Sequence, residues 1–218
     1  MRALQRDARS SPRGLLFLIT APSGAGKDSV IQILKGRRDV DMRWATTAVT
    51  REPRKEERHG VDHFFLSEEE FKIKMASGWF LETATVYGRS YGTPIEQVRG
   101  PLLAGRDVML RVDVQGARTL KHKCPETIVI FLQPPSPEEA ERRMRKRESE
   151  TVEEIERRVT AMKKYELAFA AEADHCVVNR TGDLEAVAEE VWAIVTTARA
   201  LGHEGPLISS LTPAQASS

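Results

Sequence analysis

Residues Ala21, Pro22, Ser23, Gly24, Ala25, Gly26, Lys27, Asp28 and Ser29 follow directly on an apolar run from Leu15 to Thr20. That order has a chemistry. The N–H groups of a glycine-rich turn point inward on phosphate oxygens, the following helix adds positive potential at its N-terminus, and the lysine neutralises charge. Gly24 and Gly26 permit backbone conformations and close approaches that a Cβ blocks. The turn matches the pattern G-x-x-x-x-G-K-[ST] except at two places. Ala21 stands where the first glycine belongs, and Asp28 where a hydroxyl residue meets magnesium. A carboxylate repels phosphate unless a cation lies between them, and it is a hard ligand suited to Mg²⁺. Asp28 therefore reads as a changed metal ligand, with the Ser29 hydroxyl as the alternative.

A second group lies further on. Arg51 and Arg54 are three apart, with Glu57 next to follow, and two guanidinium forks suit one phosphate gripped from two sides. Glu82 offers a carboxylate able to accept from a ring N–H and an exocyclic amine together. That is the donor edge of guanine, which adenine lacks. Residues 136–158 are nearly all charged, which suits a solvated helix face or an arginine-bearing lid over phosphates. Plainer readings stand beside these. Arg143 and Arg147 fit helical ion pairs with Glu139 or Glu150, and Glu82 an ordinary surface carboxylate.

The elements that must position these groups are visible in the pattern of apolar residues. Four short apolar runs, Leu15 to Thr20, Val108 to Val112, Ile128 to Leu132 and His175 to Asn179, read as strands buried on both faces. Helical stretches separate most of them, which predicts an α/β fold with a mainly parallel sheet wrapped by helices. Ser67 with Glu70, Thr93 with Glu96, Ser136 with Glu139 and Thr151 with Glu154 have capping-box spacing. Pro94 and Pro137 suit a first helical position. Asp183 is expected to cap the last helix. The stretch between about Thr46 and Tyr91 breaks the rhythm and suggests an inserted subdomain.

Taken together the chain resembles the guanylate kinases from about Gly14 to Arg199. The stretches that carry the likeness are PSGAGK, TREPRKEERHGVDHFF, FLETATVYGRSYGTP, RVDVQGARTL, IFLQPPSPEEAERRMRKRESET and VVN. The resemblance implies a P-loop NTPase fold, a three-layer α/β/α core with an inserted GMP-binding subdomain and a helical lid. The implied bounds are a disordered leader 1–13, a domain 14–201 and a disordered tail 202–218. Within the domain the core takes 14–45, 94–135 and 159–201, the GMP-binding part 46–93 and the lid 136–158. It implies transfer of the γ-phosphoryl group of ATP, with Mg²⁺, to GMP and dGMP. Catalytic roles fall on Lys27, Arg51, Asp113, Arg143, Arg147 and Arg158. ATP falls to residues 22–29 and Asn179, and metal to Asp28. GMP falls to Thr47, Arg51, Arg54, Glu57, His63, Glu82, Tyr91, Thr93 and Asp113.

Some residues depart from the family pattern. His63 replaces a phosphate-contacting tyrosine, and a protonated imidazole there predicts GMP affinity that falls with rising pH. Arg111 stands where an acidic residue is usual. The GKD loop with RVDVQGA is similar to that of organellar guanylate kinases of plants. A ribose bisphosphate kinase shares the GKDS letters but has no use for Arg51, Arg54, Glu82 and Tyr91 in this arrangement. A catalytically dead, peptide-binding relative would lose the loop lysine and lid arginines, which survive here.

Bulk properties narrow the partners. With 218 residues and a net charge of +1, nothing in the overall charge points to nucleic acid or membrane, so any anion site must be local. No apolar run approaches the roughly 20 residues that span a bilayer. Cys124 and Cys176 lack metal-ligand spacing and read as reduced thiols in the cytoplasm. The leader is faintly similar to an organelle-targeting segment. Monomer and homo-oligomer are equally compatible with these features.

Overall fold

The computed structural model describes residues 13–37, 42–146, 151–206 and 208–214. Its centre is β1 (Leu16–Thr20), in which every residue is buried. Strand side chains alternate between faces, and here both faces are covered. Phe17 and Ile19 pack with α1 (Lys27–Gly36) and α7 (Leu184–Ala200), while Leu16 and Leu18 pack with α3 (Glu96–Leu103) and α4 (Val114–Lys123). Each such fully buried side chain contributes about 1.5–3 kcal/mol.

Around β1 run β2 (Met42–Trp44), β7 (Asp107–Arg111), β8 (Ile128–Gln133) and β9 (His175–Val178), in the order β2-β7-β1-β8-β9. All four pairings are parallel. The core is thus three layers, helix on sheet on helix. Because β1 has β7 on one side and β8 on the other, the connections diverge at its C-terminal end. Open parallel sheets form their ligand crevices at such a point.

Residues 47–94 build a second sheet, with β3 (Thr47–Val49), β4 (His63–Phe65), β5 (Phe80–Val86) and β6 (Arg89–Pro94) in the order β4-β3-β6-β5. It carries its own small apolar cluster, in which Ala48, Phe80 and Phe71 of α2 (Glu68–Ala76) are buried. Tyr87 (φ 52°) and Gly88 (φ 77°) are both left-handed, the conformation of a tight two-residue hairpin between β5 and β6. A third cluster, Ala140, Met144, Ile155, Val159 and Met162, joins α5 (Pro137–Arg145) to α6 (Val152–Ala161). The expected lid boundary at 158 falls inside α6.

Capping chemistry explains several helix starts and corrects others. Ser67 and Thr151 form complete capping boxes with Glu70 and Glu154. Ser136 caps α5 through the Glu139 N–H, with Pro137 in the first turn, but the Glu139 carboxylate turns to Arg142 and Arg143 instead. Thr93 and Pro94 are not a helix start. They end β6, α3 begins after Ile95 without a side-chain cap, and the Thr93 hydroxyl is engaged elsewhere. Asp183 occupies the N-cap position of α7 without a capping bond.

The C-terminal segment also departs from expectation. Within the expected tail 202–218, the described residues 208–214 pack against the domain, while 207 and 215–218 lie outside the described residues. Leu211 is 2% exposed within the cluster of α3 and α4, and the Ala214 N–H donates to the Phe80 carbonyl of β5. Nearly all of the expected leader, residues 1–12, lies outside the described residues.

Candidate active site

The turn after β1 enters α1 at Gly26, whose φ of 82° suits glycine. A Cβ there would also sit 2.6 Å from the Asn179 amide nitrogen. The turn is braced from behind. The Ala25 carbonyl accepts from Asn179 Nδ2 at 2.5 Å and from Arg143 Nη1 at 3.2 Å. Asn179 and Arg143 therefore hold the loop, and neither lines the cavity in front of it. Ala25 and Ser29 also lie off that cavity, with Ser29 exposed. Lys27 Nζ donates to the carbonyl of Val112, the residue just after β7, at 2.6 Å, and burial lowers its pKa to about 8.

The cavity has a volume of about 710 Å³. One wall is the loop, with Pro22, Ser23, Gly24, Gly26, Lys27 and Asp28. The opposite wall comes from the second sheet and its loops, with Thr47, Arg51, Arg54, Glu57, His63, Glu82 and Tyr91. Asp113 lies on the floor and Arg158 reaches in from α6. Most of the site residues expected from the sequence thus meet at one place, although they come from four separate stretches of chain. Arg147 lies outside the described residues.

The arginine pair is pre-set. Arg51 donates to both Glu57 oxygens, at 2.5 and 2.7 Å, and the Arg54 N–H adds a third bond at 2.8 Å. Arg51 holds the Glu57 carboxyl down at about 2. Both Glu57 oxygens are occupied, so Glu57 orients Arg51 toward the cavity rather than offering itself to an anionic ligand.

Glu82 is the opposite case. It is 3% exposed, and burial, reinforced by the charge of Asp113, raises its pKa to about 7. The hydroxyl of Thr93 donates to Oε1 at 2.6 Å, which explains why Thr93 is unavailable as a helix cap. Asp113 caps α4 by accepting the Gly116 N–H at 2.9 Å.

His63 overturns the pH expectation attached to it. It is buried, and desolvation together with the nearby Arg111 and Arg51 charges lowers its pKa to about 4. The imidazole is neutral from pH 6 to 8. Its Nδ1 contacts Thr47 Oγ1 at 3.0 Å, and its Nε2 contacts Arg111 Nη2. Arg111 also donates to Asp28 Oδ1 at 3.1 Å. Asp28, with a half-exposed side chain, is thus an accessible carboxylate beside Lys27 at the cavity wall, as a single protein ligand to a phosphate-bound Mg²⁺ would be.

Several contributors had no clear signal in the sequence. Tyr87 at the hairpin tip crosses the cleft and donates to Glu166 Oε1 at 2.8 Å, while Glu166 Oε2 accepts the Ser23 N–H at 2.6 Å. The Arg158 guanidinium lies 5.3 Å from the Tyr87 ring centroid. Arg157 also lines the cavity. The Tyr-Gly pair between two β-type runs was the available hint for the hairpin. Nothing local marks Glu166.

A cleft with a lysine-bearing anion loop on one side and a carboxylate with two arginines on the other can hold two phosphorylated molecules facing each other. Comparison with known proteins agrees. The guanylate kinase family model matches residues 13–198. The guanylate kinase of Caldanaerobacter subterraneus subsp. tengcongensis is 41% identical over 183 residues, spanning 84% of this chain and 87% of the relative. That of Nitrosomonas europaea is 39% identical over 184 residues, spanning 84% and 90%. The crystal structure of guanylate kinase from Anaplasma phagocytophilum shares the fold with a TM-score of 0.70 at 25% identity, covering 85% of this chain and 86% of that one. With the family model spanning the core, the second sheet and the α5–α6 pair alike, the chain belongs to the guanylate kinase family.

Proposed function

We propose that the protein transfers the γ-phosphoryl group of ATP to GMP, giving ADP and GDP, in cytoplasmic purine nucleotide metabolism. The observation that supports this most strongly is the pairing, across one cavity, of the Lys27 loop with the buried carboxylate of Glu82. A phosphate loop alone suits many nucleotides. A desolvated carboxylate fixed by Thr93 suits a base that presents adjacent N–H donors, as guanine does.

Phosphoryl transfer needs positioning and charge stabilisation more than covalent chemistry. Lys27 and the loop amides hold the donor phosphates. Arg51, steadied by Glu57, together with Arg54 and Tyr91 holds the acceptor phosphate. Glu82 reads the base, and Asp113 stands between the two substrates. Arg158 and Arg157 of α6 face the gap where charge develops, with Arg143 supporting the loop from below and Arg147 assigned to the lid. Asp28 would hold Mg²⁺, which would supply positive charge to offset that of the phosphates. Water exclusion falls to the α5–α6 pair and the Tyr87 hairpin, which already meets the loop side through Glu166.

The test is a phosphorus NMR time course of ATP, Mg²⁺ and GMP with catalytic protein. The expected result is stoichiometric appearance of ADP and GDP. Release of inorganic phosphate without GDP would refute the assignment.

A further inference from the structure

Four buried polar side chains form a row across the second sheet. Glu82 of β5 pairs with Thr93 of β6, the β3–β6 register extended by one residue sets Thr93 opposite Thr47, and Thr47 pairs with His63 of β4. Directly opposed residues project from the same face. None of the four is more than 7% exposed. At such depth each polar group requires a partner. The bonds continue past the row: His63 Nε2 meets Arg111, and Arg111 meets Asp28.

The chain of bonds has a direction. A guanidinium has donors only, so the Arg111 contact makes Nε2 of the neutral imidazole an acceptor and leaves its proton on Nδ1. Nδ1–H then donates to Thr47 Oγ1 at 3.0 Å. A hydroxyl that accepts this bond directs its own proton elsewhere, and Thr47 lines the cavity. We propose that Arg111 is a positioning residue for base specificity: by fixing the His63 tautomer it makes the Thr47 hydroxyl a donor into the pocket, beside the Glu82 acceptor. The inference rests on GMP as the acceptor substrate. Guanine presents a carbonyl acceptor at C6 next to its ring N–H, whereas adenine presents an amine donor there. A donor beside an acceptor matches the first and opposes the second. In the other tautomer, Thr47 must donate to Nδ1, and its lone pairs then confront the guanine carbonyl. Asp28 anchors the other arm of the guanidinium, so Arg111 keeps its aim at His63.

Two readouts test this. Long-range proton–nitrogen NMR on the labelled full chain without nucleotide, at pH 7, reads the tautomer directly. The expected result is an Nδ1–H imidazole in the parent and in Arg111→Lys, with the proton shifting partly or wholly to Nε2 in Arg111→Met. An Nε2–H imidazole or an imidazolium in the parent overturns the proposal, as does an unchanged tautomer in Arg111→Met. The second readout is the ratio of kcat/KM for GMP to that for AMP. In Arg111→Met it should fall about five- to tenfold, the size of one hydrogen bond, mainly through the GMP KM, and Arg111→Lys should restore it. An unmoved ratio where the tautomer has moved overturns the specificity link. If circular dichroism shows Arg111→Met unfolded, His63→Gln and His63→Leu replace it. The amide keeps an acceptor for Arg111 and a donor for Thr47, so His63→Gln should hold the ratio and His63→Leu should lose it; equal ratios overturn the proposal. A parent that does not phosphorylate GMP defeats the acceptor assignment, and with it the specificity role, while the tautomer result still reports on the relay separately.

Discussion

Replacing Glu82 by glutamine should separate the cost of this carboxylate from its use. In the folded protein the group titrates near 7, against 4.5 for the free side chain, chiefly because it is buried. The folded state therefore binds more protons than the unfolded state between those values, so stability falls as pH rises through that window and stays reduced above it. A raised carboxylate has this sign; a depressed one would have the opposite. A tenfold difference in proton affinity between the two states is worth roughly 1.4 kcal/mol, so the penalty grows from about 1 kcal/mol at pH 5 to about 3 kcal/mol at pH 8. Glutamine keeps the shape and an oxygen for the Thr93 hydroxyl but carries no charge. Whatever constant offset its amide introduces, the stability gap between Glu82→Gln and the parent should widen in the variant's favour by about 2–3 kcal/mol from pH 5 to pH 8. Urea unfolding of both proteins without nucleotide, at four pH values, measures it. At the same time kcat/KM for GMP should drop on the order of a hundredfold, since two hydrogen bonds to a charged acceptor are lost. A gap that stays flat with pH, or narrows, would refute the claim that a desolvated carboxylate sits at this position.

Other outcomes follow from the same geometry. Without nucleotide, Lys27 loses its proton near 8, and the ammonium is the form that attracts phosphate; the ATP KM should therefore rise as pH climbs from 8 to 9, and a flat profile would contradict the burial of this amine. A methyl group at Gly116 would lie 3.0 Å from Glu82 Oε2 and 3.1 Å from Asp113 Oδ1, so Gly116→Ala should raise the GMP KM severalfold with ATP KM little changed, measured by steady-state kinetics. Leu211→Ala removes a buried anchor of the C-terminal segment and should cost about 2–3 kcal/mol, a melting shift of roughly 4–10 °C by calorimetry. An unshifted melting temperature would show that the segment is not bound to the domain.

Much of the architecture was legible because its causes are local. Leu15 to Ile19 is apolar throughout, as suits a strand covered on both faces, and the loop that follows has few conformations open to it. Ser67 and Thr151 announce their helices because a capping box is a contact between near neighbours. Thr93 shows the limit of that logic. Its spacing to Glu96 is right for a cap, but its hydroxyl is taken by Glu82, a partner that only strand pairing supplies. The same holds for Asp28 and Arg111, 83 residues apart, each of which looks anomalous alone. His63 read as a protonable donor because burial and two neighbouring guanidiniums are invisible in one dimension. Leu211 escaped notice for another reason. A single apolar residue in a polar stretch has no period, so nothing foretold that residues 208–214 would fold back on β5 and α4.

The central claim is that this cleft joins ATP to a guanine nucleotide. Its most direct test is the rate of ADP formation from ATP and Mg²⁺ with GMP, dGMP, AMP or ribose bisphosphate as the only acceptor. The account predicts rapid turnover with GMP, activity with dGMP, and rates with AMP and ribose bisphosphate lower by orders of magnitude. Comparable rates with AMP, or turnover with ribose bisphosphate and none with GMP, would contradict it.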